Sequence, residues 1–178
     1  MTSSTNSLTK STDSRTLLYL DQNYLSGIVK RKPAFRELEP VLRAAVERGA
    51  VAVPEAGAHR RESAPRPDLP LLALLRELSG GVRLPDALGP LERQCRALLA
   101  GALGRYFPQR KPRASDEVDL DALALALPRC RLIACDAFMA DIVHRAGLDV
   151  RFGCELFGGR RPDVLRLRDR LIERGEAP

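Results

Sequence analysis

The sequence predicts an α/β protein, a three-layer α/β/α sandwich around a central parallel sheet of four to five short strands. Two observations carry this. Short apolar runs bounded by turn residues alternate with longer stretches of helical period, the pattern of strands joined by crossover helices. Two of those runs, LLYL before Asp21 and the mostly apolar RLIAC before Asp136, end abruptly in an acid, as strands covered on both faces do. With 178 residues, 44% of them hydrophobic, the chain has material for one packed core. We therefore expect a disordered tail over residues 1–15, rich in Ser and Thr and without hydrophobic period, and a single domain over 16–178.

The elements follow in order. Leu17 to Leu20 form the opening strand, and Tyr24 to Val29 a short helix. Pro33 suits the first turn of the next helix, where Phe35, Leu38, Val41, Leu42, Ala45 and Val46 recur at helical spacing until Gly49 ends it. Val51 to Val53 are a second strand stopped by Pro54. Glu55 to Ala64 are expected as a helix that Pro65 and Pro67 terminate, with Glu55, His59 and Glu62 on one face. Leu69 to Leu78 give a helix closed by Gly80-Gly81, and Leu88, Leu91, Cys95, Leu98, Leu99 and Ala102 mark another. Arg105 to Arg113 read as a basic, proline-broken loop carrying Tyr106 and Phe107. Ser115 or Asp116 is expected to cap a helix with the apolar stripe Leu120, Leu123, Ala124 and Leu127. The central strand follows Pro128 directly. Phe138, Met139, Ile142 and Val143 supply the buried face of the next helix, Val150 to Cys154 read as a further strand, and a last helix begins at Pro162.

Composition narrows the function. No apolar run reaches the roughly 20 residues that cross a bilayer, and Met1 to Ser14 lack the apolar core of a secretion signal, so the expectation is a cytoplasmic protein away from membranes. Four cysteines without C-x-x-C spacing and only two histidines argue against zinc. A net charge of +6 favours an anionic partner, nucleic acid first.

Asp21 and Asp136 stand at the carboxyl ends of strands, where open parallel sheets collect their ligands. Glu62 and Asp119 join them from distant parts of the chain. Four carboxylates brought together repel one another unless a cation sits among them. Oxygen donors without an imidazole or thiol cluster suit magnesium or manganese, which would activate water and neutralise charge on a phosphodiester. Each acid also has a plainer role: Asp21 and Asp136 as helix caps, Glu62 as a solvated charge beside Arg60 and Arg61, Asp119 as a complement to a helix N-terminus.

The succession LLYLDQNYLSGI, VAVPEAGAHRRES and DEVDLDALALALPRCRLIACDAFMADI resembles the PIN domain, a family of small metal-dependent nucleases, over roughly Leu17 to Cys154. The resemblance implies ribonuclease activity with Mg2+ or Mn2+ held by Asp21, Glu62, Asp119 and Asp136. Where the family often carries Thr or Ser after the first aspartate, this chain has Gln22 and then Asn23. Asp116 and Asp121 compete with Asp119 for the third place, Glu55 is the reserve for Glu62, and Asp141 and His59 are outer candidates, His59 more often a packing residue in such a setting. Lys30, Arg31, Lys32, Arg110, Lys111 and Arg113 are expected to meet RNA phosphates, with Tyr106 and Phe107 offering stacking surfaces.

The reading is thus a metal-dependent endoribonuclease cutting single-stranded RNA, of toxin or RNA-processing type. Many PIN-like proteins of this size resemble toxins neutralised by a partner, and many dimerise, so the resemblance brings a homodimer and an antitoxin-like protein partner into the expectation. Its rivals are a PIN-like RNA-binding or scaffold module without catalysis, and a DNA nuclease or phosphatase built on the same carboxylates.

Overall fold

A computed structural model describes residues 15–63, 70–111 and 113–176. The expectations for residues 1–14 and for the stretch containing Ala64, Pro65 and Pro67 lie outside these residues. The chain order is β1 (Thr16–Leu20), α1 (Gln22–Val29), α2 (Pro33–Glu47), β2 (Val51–Ala52), α3 (Gly57–Ser63), α4 (Leu71–Ser79), α5 (Pro90–Tyr106), α6 (Ala114–Ala126), β3 (Leu132–Ala134), α7 (Ala137–Arg145), α8 (Leu148–Phe152), β4 (Glu155–Phe157) and α9 (Arg161–Glu176). The four strands form one parallel sheet in the order β2-β1-β3-β4. Every connection is therefore a crossover, and helices must cover both faces.

Period-two alternation along the strands decides which helices go where. Leu18, Leu20, Leu132, Ala134 and Phe157 face one layer, against Tyr24, Leu25 and Ile28 of α1, Leu38 and Leu42 of α2, Leu75 of α4, and Val164, Leu167 and Leu171 of α9. Tyr19, Ile133 and Cys135 face the other, against Leu99 of α5, Leu120 and Leu123 of α6, Ile142 and Val143 of α7, and Leu148 of α8. This is the expected three-layer α/β/α sandwich. Each leucine so covered contributes about 1.5–3 kcal/mol. Among the described residues no helix is long and apolar enough to cross a membrane.

The prolines and glycines explain most boundaries. Pro33 and Pro90 occupy first turns, where a missing N–H costs nothing. Gly80 ends α4 in the left-handed conformation at φ 53°.

Several expectations need correction. Residues 150–154 are not a strand: Gly147 and Gly153, both left-handed, bracket the short α8, Val150 is 79% exposed, and the strand β4 begins only at Glu155. A run such as DVRFGC has apolar residues enough for either element, and the two glycines decide. Glu55 precedes α3 and bridges the chain at Arg83, because Pro54 holds the backbone extended, so it shares no helical face with His59. Residues Arg105 and Tyr106 belong to the last turn of α5. The N-cap of α6 is Arg113, and Asp116, two residues inside the helix, accepts the Arg113 backbone N–H at 2.8 Å.

Candidate functional site

The register of the central strands builds the site. Leu20 pairs with Ala134, and the Asp21 N–H donates to the Ala134 carbonyl at 2.9 Å, so β1 and β3 end level with each other. Asp21, directly after Leu20, and Asp136, two residues after Ala134, leave the sheet at this common end and turn into α1 and α7. Each caps its own helix: an Asp21 Oδ1 accepts the Tyr24 N–H at 2.9 Å, and an Asp136 Oδ1 accepts the Met139 N–H at 2.8 Å. The capping role and the place at the strand end are thus compatible, since one oxygen of each carboxylate is spent on the helix and the other is not. Asn23 reaches back to the Asp21 Oδ2 at 3.4 Å, a long contact consistent with a weak one.

The electrostatics of Asp21 are unusual. Its carboxyl is pushed up to about 7, first by burial and further by the charge of Asp136, against the lowering effect of the hydrogen bonds from the Tyr24 N–H, the Asn23 amide and the Asp136 N–H. The residue keeps one side open to solvent. Among the described residues no Lys or Arg side chain forms an ion pair with Asp21 or Asp136. The thiol of Cys135, buried between them, is pushed well above the ordinary cysteine range by burial and then by Asp21, Asp136 and Asp119 in that order. Asp119, on α6, is thus within electrostatic reach of this thiol.

The other acids are engaged elsewhere. Asp116 is buried and gripped through both oxygens by the Arg110 guanidinium, at 2.8 Å for one contact and shorter for the other, which holds its carboxyl below the usual carboxylate range. Asp121 points to α5 and pairs with Arg96 at 2.6 Å. Asp141 pairs with Arg145 one turn along α7 at 2.8 Å. Glu55 lies 3.7 Å from Arg83 and 4.0 Å from Arg60. Helical geometry sends Asp119 and Asp121 to opposite flanks of the α6 apolar stripe, whereas Asp116 and Asp119, three residues apart, share a face and are told apart by the Arg110 grip on Asp116.

His59 is a structural residue of the site. Its Nδ1 accepts the Ala56 N–H at 3.0 Å, which leaves the proton on Nε2, and Nε2 meets the Leu20 carbonyl at 2.7 Å. Pairing between β1 and β2 stops at Leu17 and Ala52, so the Leu20 carbonyl has no strand partner on that side and takes His59 instead. The ring stacks on Tyr19 with centroids 5.5 Å apart. Burial lowers its pKa, which keeps it neutral. Glu62 is carried on the same α3, and its side chain lies outside the described residues.

The basic residues divide. Arg110 stacks over Phe138 at 4.2 Å and senses Asp136 and Asp119 after Asp116, which puts it at the edge of the acids. Lys111 and Arg113 are exposed nearby. Lys30, Arg31 and Lys32 form an exposed turn beyond α1, separated from Asp21 by a helix about 12 Å long. Phe107 packs edge-on against Phe138 with centroids at 5.0 Å, while Tyr106 is 43% exposed under Arg145.

Two participants escaped the sequence reading. The Tyr24 hydroxyl donates to the Gly158 carbonyl at 2.6 Å and ties α1 to the turn before α9. Asp163, in the first turn of α9, acts on that hydroxyl together with Asp21. An acid in the first turn of a helix is the only signal that could have pointed to Asp163, which lies six residues beyond β4 and lacks the strand-end position of Asp21 and Asp136.

The donor set is hard oxygen throughout, which suits Mg2+ or Mn2+ rather than a softer ion. Among the described residues no three His, Cys, Asp or Glu side chains stand close enough to share one ion. Asp21 and Asp136 stand at the ends of neighbouring strands and feel each other's charge, and magnesium is commonly held by one or two carboxylates with water filling its other positions. Comparison of the chain with protein-family profiles, with curated proteins and with solved structures finds no match.

Proposed function

We propose that this chain is a metal-dependent endoribonuclease that hydrolyses single-stranded RNA. One observation carries the reading: Asp21 and Asp136 adjoin at the ends of neighbouring parallel strands, and the Asp21 carboxyl is held near 7 with no cationic side chain beside it among the described residues. Such a carboxylate is a poor resting arrangement and a good half of a cation site. Asp21 and Asp136 would hold Mg2+ or Mn2+, with Asp119 a further acid in their surroundings rather than a third ligand to the same ion, and Glu62 the remaining acid of the expected set. The ion would supply an activated water and neutralise charge on the phosphate under attack. The protein's own residues orient: the Tyr24 and Met139 N–H groups fix the two carboxylates, His59 fixes the end of β1, and Arg110, held flat by Asp116 and Phe138, offers its remaining N–H groups toward substrate phosphate. Lys111 and Arg113 extend the cationic rim. A cytoplasmic setting, a homodimer and an antitoxin-like partner belong to this reading as well.

The test is Mn2+-dependent cleavage of a fluorescent single-stranded RNA by the wild type, Asp21→Asn and Asp136→Asn, with DNA and a phosphomonoester alongside. Cleavage of RNA lost in both variants supports the reading. Preferred cutting of DNA or of the phosphomonoester would replace the substrate.

A second reading, an RNA-binding module of this fold without catalysis, is favoured by the lack of a three-acid group among the described residues. Under it the wild type and Asp21→Asn bind RNA equally and neither cuts.

A further inference from the structure

A cleft of about 900 Å³ opens between α7 and the turn from β4 to α9, and neither the acids nor the basic loops account for it. It starts one residue from Asp136. Ala137 and Gly158 line its inner end, and a side chain at Gly159 would lie 3.8 Å from the Asp136 Cα, so the turn packs directly on the backbone of the acid pair. A Cβ at Gly158 would fall 2.8 Å from Asp163 and 3.4 Å from the Ala137 Cα. A side chain there would have to push the Asp163 carboxylate aside and would rest against the Ala137 backbone.

The walls are of two kinds. On one side stand Phe107, Phe138 and Leu156, apolar and partly aromatic. Phe138 is fixed from two directions, by the Arg110 guanidinium at 4.2 Å and the Phe107 ring at 5.0 Å. On the other side are four acids with their counter-charges: Asp163 and Glu155 with Arg166 at 3.0 and 3.7 Å, Asp149 with His144 at 2.8 Å through one of its oxygens, and Asp141 with Arg145 at 2.8 Å. Arg160, exposed at the rim where α9 begins, adds positive charge. An aromatic and aliphatic wall with a cationic lip matches a nucleotide, base against the wall and phosphate at the lip. The volume lies inside the roughly 300–1,000 Å³ usual for small-molecule sites.

We infer that this cleft is a nucleotide subsite that seats the residue next to the phosphate presented to Asp21 and Asp136. The inference rests on the nuclease reading for the chain's direction and on the cleft alone for the binding. Cleavage would then depend on one ordered nucleotide beside the cut, and single-stranded RNA, whose bases can leave the stack, is the form able to enter.

The experiment titrates the full chain with adenosine 5′-monophosphate in EDTA, followed by calorimetry and by amide shifts at Ala140, Gly158 and Arg160. Wild type and Asp21→Asn are expected to bind alike, whereas Arg160→Glu and Ala140→Phe weaken binding by about tenfold, the order of one lost charged or stacking contact. Arg160 is exposed, so its replacement keeps the test sound if Ala140→Phe fails to fold. Equal binding by Arg160→Glu and the wild type overturns the subsite, as does inorganic phosphate giving the same shifts at the same affinity. Binding in the cleft by a protein that cuts no RNA sinks the nuclease reading and leaves the subsite standing. RNA cut equally by the wild type and both cleft variants does the reverse.

Discussion

Asp21 and Asp136 are tied to each other through the central strand pair: the Asp21 N–H is bonded at 2.9 Å to the Ala134 carbonyl, two residues before Asp136. The two acids therefore cannot separate without breaking the end of the central strand pair. Their repulsion is built into the fold.

That repulsion gives the first prediction. A carboxyl whose folded pKa is near 7, above its unfolded value near 3.8, favours the folded state when protonated, so its ionisation removes stability as pH rises from about 4 through 7. Asp21→Asn keeps a capping oxygen and removes the charge. A pKa unit corresponds to about 1.4 kcal/mol before screening, and with Asp21 open on one side we expect a gain of about 1–2 kcal/mol at pH 8 that vanishes near pH 4. Urea denaturation of both proteins at the two pH values measures it. A gain that is the same at both would show that charge is not its cause.

Divalent metal should act on the same group. Mn2+ is expected to raise the melting temperature of the wild type at pH 8 and to leave Asp21→Asn nearly unmoved, because an ion that binds only the folded state stabilises by mass action. In cleavage assays Asp21→Asn and Asp136→Asn should each lose at least about 100-fold, more than the 10–100-fold typical of groups that merely support a metal ligand. Calorimetric titration with Mn2+ provides the control, with weaker binding in both variants.

His59→Phe should fold less stably. It leaves the Ala56 N–H and the Leu20 carbonyl without partners, at about 1–3 kcal/mol for each buried group. The wild type carries a pH signature the variant lacks. Since the folded pKa of His59 lies below its usual value, the neutral ring is the stable form, and the wild type loses stability as pH falls below about 6.5. The gap between the two proteins should narrow on acidification, as read by denaturation at pH 8 and pH 5.

Tyr24→Phe removes one hydroxyl and strands the Gly158 carbonyl, a loss of about 1–3 kcal/mol. Hydrogen exchange should quicken in the turn before α9 while the amides of β1 stay protected. A uniform loss across the chain would mean that Tyr24 matters only for packing.

Arg110→Lys tests the fork on Asp116. A lysine cannot grip both carboxylate oxygens in one plane or stack flat on Phe138, so it should not restore RNA affinity or the protection of the first turn of α6, despite keeping the charge. Filter binding at two salt concentrations checks the first, amide exchange the second.

The sequence by itself determined the layers. Alternating short apolar runs and amphipathic helices, with Asp21 and Asp136 at the ends of two of those runs, required a parallel sheet covered on both faces, because such runs have no polar side to leave in water. It also identified Asp21 and Asp136 as the acids with positions worth having. Only the tertiary structure decided the rest. Asp116, Asp119 and Asp121 are nearly equivalent in one dimension, and they separate because Arg110 and Arg96, six and 25 residues away, claim the first and last of them. His59 could not be placed before the splay between β1 and β2 left the Leu20 carbonyl needing a donor. The α8 segment misled because a few apolar residues fit either a strand or a helix until two glycines fix the turn. Local period reports burial. Which charge meets which is a property of distance across the fold, and a linear order of residues does not contain it.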